Sequence, residues 1–352
     1  MGGGERRRNR QKAPAERGRQ TRCVRNALWD RADRNHALRA FIHDATPSTM
    51  VPRFHLSPDG PEVSSLAFGL WRLAADPEGA SPAHVRRKID ACLAAGITTF
   101  DHADIYGLYT CEGLFGRALA EDPGLRDRME IITKCGINAV CDNRPGVRVA
   151  HYDATAAAIE RCVERSLREL RTDRIDVLLI HRPDWLTSAE ETARGLQRVI
   201  ASGTVRHVGV SNYNVHQYAL LGRFLGRAPV TNQIEISLLH MDAIWDGTLD
   251  QCQAAGVHPM AWSPLGGGRL AAGDQPEAVR TREALRRIGA EYGATPEQMA
   301  HAWVAALPCR PQVVIGTNKP ERITEAAASA SIRLERQHWY ELWSAAQGRR
   351  VP

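Results

Sequence analysis

Eight short apolar runs, separated by stretches of helix length, dominate the sequence between residues 65 and 316. The runs are SLAFG (65–69), ITTFD (97–101), EIITK (130–134), DVLLI (176–180), HVGVS (207–211), TNQIE (231–235), HPMAW (258–262) and QVVIG (312–316). Helix-like segments are expected near 82–95, 110–121, 153–170, 189–202, 214–225, 246–255, 278–306 (as two) and 319–329. Strands apolar along their whole length are buried on both faces, which is the condition of a parallel sheet covered by crossover helices. Eight such units with short linkers predict an α/β fold, a closed (β/α)8 barrel. A doubly wound sheet would carry a glycine-rich turn after an early strand, and no GxGxxG occurs. Upstream, RFHLS and EVSSLAFG flank Pro58-Asp59-Gly60-Pro61, a β-hairpin signal.

The chain has 352 residues, 43% of them hydrophobic, enough for one barrel of ~250 residues or more. Residues 1–49 hold 12 Lys and Arg against 5 Asp and Glu, or +7, so the remainder carries −1 of the total +6. The basic character therefore belongs to the N-terminal segment. Residues 1–49 are expected to be a disordered arm or translation from upstream of a true start at Met50, with the barrel occupying 50–352. A short helical patch is expected within the arm at 26–42. A basic arm can touch nucleic acid or a membrane surface, but neither is the expected partner. No run of 18 apolar residues is present, and the N-terminus lacks the apolar core of a secretory signal, so a cytoplasmic protein is expected. The eight cysteines (23, 92, 111, 135, 141, 162, 252 and 309) form no CxxC and no metal-ligand spacing. Reduced, structural thiols are expected.

In a parallel barrel, chemistry gathers at the C-terminal ends of the strands, and here those ends are polar. The second run leads into FDHADIYG, with Asp101 and Tyr106 five residues apart. Lys134 ends the third run and His181 the fourth. Ser211 and Asn212 follow the fifth, and Gln233 lies in the sixth. Trp262 and Ser263 close the seventh, and Thr317 and Asn318 follow the eighth. A tyrosine is a weak acid, with a reference pKa of ~10, and a nearby ammonium lowers that value. Lys134 can supply the charge, and Asp101 can hold Lys134. Tyr106 then reads as a general acid, with His181 orienting the reacting oxygen. Neither a strong nucleophile beside a base nor a metal cluster is visible, so no metal is expected. Proton donation alone points to carbonyl reduction, which needs a hydride source. Ser211, Asn212 and Gln233 suit a carboxamide, and Trp262 offers a face for ring stacking. The backbone of Gly266-Gly267-Gly268 suits a pyrophosphate. Thr317, Asn318, Lys319 and Arg322 cluster where a helix begins, a natural phosphate site.

These residues resemble the aldo/keto reductase family, in particular a bacterial subgroup of predicted oxidoreductases. The resemblance runs from Met50 to Pro352 through GITTFDHADIYG, ITKCGI, VLLIHRPD, VRHVGVSNY, TNQIEIS, MAWSPLGGGRL and VVIGTNKPERI. It implies a (β/α)8 TIM barrel closed at the bottom by an N-terminal hairpin. It also implies reduction of aldehydes or ketones by NADPH without a metal. By the same resemblance Tyr106 is the proton donor, Lys134 and Asp101 tune it, and His181 orients the substrate. Ser211, Asn212 and Gln233 contact the nicotinamide carboxamide, and Trp262 stands where the family usually stacks a tyrosine. Ser263, Leu265, Gly266 and Gly267 run along the cofactor. Arg322 matches the arginine at the adenosine 2′-phosphate, and Glu325 lies near the adenine. Gly316 replaces a lysine that many members use for that phosphate. Lys319 with Arg322 can compensate, which favours NADP(H) over NAD(H). His102 replaces the usual Thr or Ser after the aspartate and is expected to line the substrate pocket, as are Trp71 and Trp185. The loop 137–152 is expected on the substrate side. The expected partner is a small carbonyl compound, and the expected assembly a monomer or small homo-oligomer. Three rivals stand beside this reading. One is a Schiff-base aldolase acting through Lys134, one an NADPH-binding regulatory subunit with little turnover, and one a nucleic-acid adaptor using the basic arm.

Overall fold

The computed structural model describes residues 50–351, together with Met1. The basic arm, its helical patch at 26–42 and Cys23 lie outside the described residues. Strand β1 (Arg53–His55) pairs antiparallel with β2 (Glu62–Ser64), Arg53 opposite Ser64 and Phe54 opposite Val63. The barrel begins with β3 (Leu66–Gly69), β4 (Thr99–Asp101) and β5 (Glu130–Cys135). A small antiparallel pair follows, β6 (Ile137–Asn138) with β7 (His151–Tyr152), inside the segment expected to be a plain loop. The barrel resumes with β8 (Ile175–Ile180), β9 (Val205–Ser211), β10 (Asn232–Glu235), β11 (Met260–Trp262) and β12 (Gln312–Ile315). The ring runs β3-β4-β5-β8-β9-β10-β11-β12 and closes through parallel pairing of β12 with β3. All eight expected strands take part, so the chain is a (β/α)8 barrel.

The strands alternate their side chains between two cores. Ala67, Ile132, Val177, Leu179, Met260 and Val314 fill the barrel interior, where Leu56 and Val63 of the hairpin join them. The neighbouring positions Phe68, Phe100, Ile131, Val313 and Ile315 face outward into the layer that packs against the helices. The hairpin thus plugs the N-terminal mouth. Polar bonds fix it there: Thr98 N and Thr99 N donate to Ser64 Oγ at 3.0 and 3.1 Å. Gln312 Nε2 donates to Ser64 O at 2.6 Å, and His258 N to Leu56 O at 2.7 Å. EVSSLAFG, expected as one run, divides at Ser65. Ser65 N–H bonds Pro52 O and its carbonyl accepts from Val313 N, so β2 and β3 enter different sheets.

The helices start on caps written in the sequence. Ser81, Thr155, Ser188, Asn214 and Thr295 each accept a backbone N–H from the first turn that follows, contributing ~1 kcal/mol apiece. The expected 278–306 segment divides into Pro276–Tyr292 and Pro296–Ala305 around Gly293, a left-handed stop. A final helix, Arg336–Gln347, was not expected from the sequence. It is held by Trp339 stacked on Trp303, with ring centroids 4.7 Å apart at 8°. Each indole N–H donates to the other residue's carbonyl, at 3.1 and 3.0 Å. The seven described cysteines are free, most of them buried, in keeping with structural thiols. Among the described residues no helix is long and apolar enough to cross a membrane.

The helix Cys111–Leu119 meets the end of the helix Ala156–Leu170 at Gly116, where a Cβ would stand 2.0 Å from Glu169 O. Gly116→Ala should therefore destabilise the barrel by ~1–3 kcal/mol or more. In urea unfolding this would lower the midpoint at unchanged m-value; an unmoved midpoint would contradict so close a helix approach.

Candidate active site

Strand pairing brings the polar ends to one level. Asp101 lies opposite Gly69 of β3 and Ile132 of β5, and Ser211 opposite Gln233 of β10. Lys134, two residues beyond Ile132, is fully buried at 0% exposure. Its ammonium donates to both Asp101 oxygens at 2.8 and 2.9 Å, to His102 O at 2.7 Å and to Tyr106 Oη at 2.9 Å. Burial by itself would lower the Lys134 pKa, but the Asp101 carboxylate and the Tyr106 oxygen outweigh it and raise it. Lys134 therefore stays charged. Tyr106 departs from expectation in its net direction. Burial raises its pKa above the usual value, and the opposing pull of Lys134 only reduces the rise. The phenol keeps its proton at neutral pH, which is the state a proton donor needs.

His181 follows the last residue of β8 and sets its ring edge-on to Tyr106, centroids 5.9 Å apart. Burial, with the charges of Lys134 and Arg182, holds its pKa well below the ordinary histidine value, so the imidazole is neutral. A chain of hydrogen bonds continues around the mouth. Gln233 Nε2 donates to Asp101 Oδ1 at 2.8 Å, and Ser211 Oγ donates to Gln233 O at 2.9 Å. Asn212 Nδ2 donates to Ser211 Oγ at 2.8 Å, and Trp262 Nε1 to Asn212 Oδ1 at 3.1 Å. Asn212 and Ser263 take φ of 58° and 52°. Such left-handed residues are uncommon outside glycine and turn the chain sharply at the two strand ends.

Together these residues enclose a cavity of about 300 Å³. Of the residues singled out in the sequence, Trp71, Asp101, Tyr106, His181, Ser211, Asn212, Gln233, Trp262, Ser263, Leu265, Gly267, Gly268 and Gly316 line it. Lys134 stands behind Tyr106, and Gly266 is buried beneath the turn. Thr317, Asn318, Lys319 and Arg322 lie outside the cavity wall, around the start of the helix Pro320–Ala327, with Glu325 further along that helix. Lys319 and Arg322 are exposed and make no ion pair among the described residues. Two expected wall residues are elsewhere. His102 is 0% exposed and packs edge-on against Phe115 at 4.5 Å, its pKa driven by burial to about 3. Strand alternation explains this: with Asp101 turned inward, its neighbour faces the helices. Trp185 is 78% exposed and packs on Tyr152 at 5.7 Å, away from the cavity. Two arginines that line the cavity were missed. Arg182 follows His181 and holds its guanidinium 6.0 Å from the Trp262 ring. Arg72 donates to Gly267 O at 3.4 Å and accepts from Asn318 Nδ2 at 2.8 Å through its carbonyl, so it links the loops after β11 and β12. Both sit directly beside residues that were recognised, Trp71 and His181, and that adjacency was the available signal.

The donor set fits a nicotinamide dinucleotide: amide and hydroxyl groups beside an indole face, an open glycine turn and free cations at a helix start. Gly267 and Gly268 both have positive φ, and nothing lies within 4 Å of where a Gly267 Cβ would be. Among the described residues no group of three or more His, Cys, Asp or Glu is placed to hold a metal ion.

Residues 65–346 match the model of the Aldo/keto reductase family. The chain is 48% identical over 290 residues to a 6-dehydroglucose reductase of Agrobacterium fabrum, covering 82% of this chain and 96% of that protein. It is 43% identical over 304 residues to Oxidoreductase YdhF of Escherichia coli, covering 86% and 100%. Among solved structures, a thermostable aldo-keto reductase, Tm1743, crystallised with the inhibitor epalrestat, superposes with a TM-score of 0.68. It shares 25% identity over 84% of this chain and 99% of that one.

Behind the site, Glu112 is buried and its Oε1 accepts from Thr133 Oγ1 at 2.6 Å. Burial, assisted by Asp104, lifts its pKa to about 8, against ~4.3 in an unfolded chain. The folded state therefore holds this proton more tightly than the unfolded state. The stability it contributes is full below the unfolded value and is lost as pH rises toward about 8. Melting temperature should fall between pH 5 and 8.5, and less steeply in Glu112→Gln; an equal slope in the variant would assign the effect to another group.

Proposed function

The chain belongs to the aldo/keto reductase family, and on that premise we propose that it reduces an aldehyde or ketone to an alcohol with NADPH, using Tyr106 as the proton donor. The observation that carries the reading is the 2.9 Å bond from Lys134 Nζ to Tyr106 Oη, with the same ammonium seated on both oxygens of Asp101. NADPH when bound supplies the hydride that reaches the carbonyl carbon. The protein does the rest. Tyr106 and the neutral His181 meet the carbonyl oxygen and fix its direction. As negative charge grows on that oxygen, the Tyr106 proton transfers to it. Lys134 steadies the phenolate left behind, and Asp101 keeps Lys134 charged. The network through Gln233, Ser211, Asn212 and Trp262 would hold the nicotinamide end. Ser263, Leu265 and the Gly266–Gly267 turn would follow the pyrophosphate, with Thr317 and Asn318 beyond it. Lys319 and Arg322 would meet the 2′-phosphate, and Glu325 the adenine side. Two exposed cations at this point favour NADP(H) over NAD(H).

For the substrate, the names of two relatives point to a sugar aldehyde: the Agrobacterium enzyme, and a 6-dehydroglucose reductase of Novosphingobium aromaticivorans at 39% identity. The cavity suits one. Arg72 and Arg182 offer fixed donors to hydroxyl groups, and Trp71 and Trp262 offer flat apolar faces.

Purified protein should oxidise NADPH with a hexose 6-aldehyde or with 4-nitrobenzaldehyde. Tyr106→Phe should lose ~10²-fold or more of that rate while binding NADPH with unchanged affinity. Cofactor binding with no turnover of either aldehyde would leave the regulatory-subunit reading in its place. Arg322→Ala should weaken NADPH by ~10-fold, the scale of a lost charged hydrogen bond, and NADH hardly at all. Equal weakening of both would remove Arg322 from the phosphate.

A further inference from the structure

The chain leaves Tyr106 through a turn that its sequence alone does not favour. Gly107, Leu108 and Tyr109 have φ of 57°, 52° and 71°. Glycine takes the left-handed region freely, but leucine and tyrosine avoid it because Cβ crowds the following carbonyl. Two such residues in succession persist only where the surroundings hold them.

Most of the holding groups come from the segment that begins with β6. Tyr109 Oη donates to Ile137 O at 3.1 Å and accepts from Ala139 N at 3.0 Å. Asn143 Nδ2 donates to Leu108 O at 2.7 Å. Two guanidinium groups lie over the Tyr109 ring, Arg144 at 4.3 Å and Arg165 at 5.4 Å from its centroid. Arg165 also donates to Asp104 Oδ2 at 2.6 Å, and Asp104 N–H bonds Lys134 O at 3.0 Å. Tyr106 thus sits between two anchors, Asp104 before it and Tyr109 after it, and Arg165 touches both.

We propose that Tyr109 is a positioning residue for the proton donor: its bonds to the backbone of Ile137 and Ala139 and its contacts with Arg144 and Arg165 hold the left-handed turn that sets the Tyr106 hydroxyl on Lys134. Docking of the β6–β7 pair then decides where the proton is delivered. The inference rests on Tyr106 being the donor, but its geometric part does not.

Tyr109→Phe tests it, because the ring keeps its contacts with the arginines and only the two backbone bonds are lost. Crystal structures of the wild type and the variant should show Tyr106 Oη drawn out of hydrogen-bond reach of Lys134 Nζ. In steady-state assays kcat should fall ~10- to 100-fold, the range expected for a reacting group misplaced by about 1 Å. KM and NADPH affinity should stay within about twofold. The alkaline limb of the kcat profile should move to higher pH, since Tyr106 loses the cation that lowers its pKa. A loss of stability alone would move none of these. Asn143→Ala, which frees only the Leu108 carbonyl, should act in the same direction and more weakly, and it carries the test should Tyr109→Phe fail to fold. Tyr106 unmoved in the variant crystals overturns the proposal, whatever kcat does. A wild type that turns over no aldehyde defeats the catalytic reading instead, and the crystal comparison still decides whether Tyr109 positions Tyr106.

Discussion

A fully buried ammonium group organises this barrel's mouth. Taking Lys134 out of water costs several kcal/mol, and that cost is offset only where every N–H finds a strong acceptor. Both oxygens of Asp101, the His102 carbonyl and the Tyr106 hydroxyl supply four. Of these only Asp101 carries the opposing charge, so removing its carboxylate would leave the ammonium stranded in the core. β4 and β5 therefore have to be neighbours, in the register that sets Asp101 against Ile132, and the turn after β4 has to fold back over Lys134.

The same carboxylate reaches across the mouth. Gln233, 132 residues further along the chain, bonds Asp101 Oδ1, and from Gln233 the network passes through Ser211 and Asn212 to Trp262. Side chains from β4, β5, β9, β10 and β11 thus share one polar network, possible because a closed parallel barrel brings all its C-terminal strand ends to one rim. The hairpin plug and the apolar layers carry no chemistry. They hold the ring at the diameter where that network closes.

Much of this was legible in the residues. Continuous apolar runs marked buried parallel strands, the helix-length stretches between them marked the crossovers, and polar strand ends marked the active face. The exceptions share a cause. His102 was assigned to the pocket because it follows Asp101, yet a one-residue step along a strand reverses the face. Trp185 was assigned by hydrophobicity, but exposure depends on the neighbouring β7, two residues long and unrecognisable by pattern. The helix Arg336–Gln347 is fixed by Trp339 stacking on Trp303, 36 residues away. Tyr106 was expected to have a lowered pKa because a cation was foreseen and its burial was not.

By itself, the sequence determined the alternation of strands and helices, the hairpin ahead of them, and which residue types stand at the strand ends, because periodicity and turn chemistry are local properties of the chain. Only the tertiary structure decided which of those residues meet. It buried Lys134 on Asp101, kept the Tyr106 proton in place, turned His102 away, and drew Arg72 and Arg182 to the cavity wall. Each of these outcomes depends on distance and desolvation between segments far apart in sequence, and both quantities arise only when the ring closes.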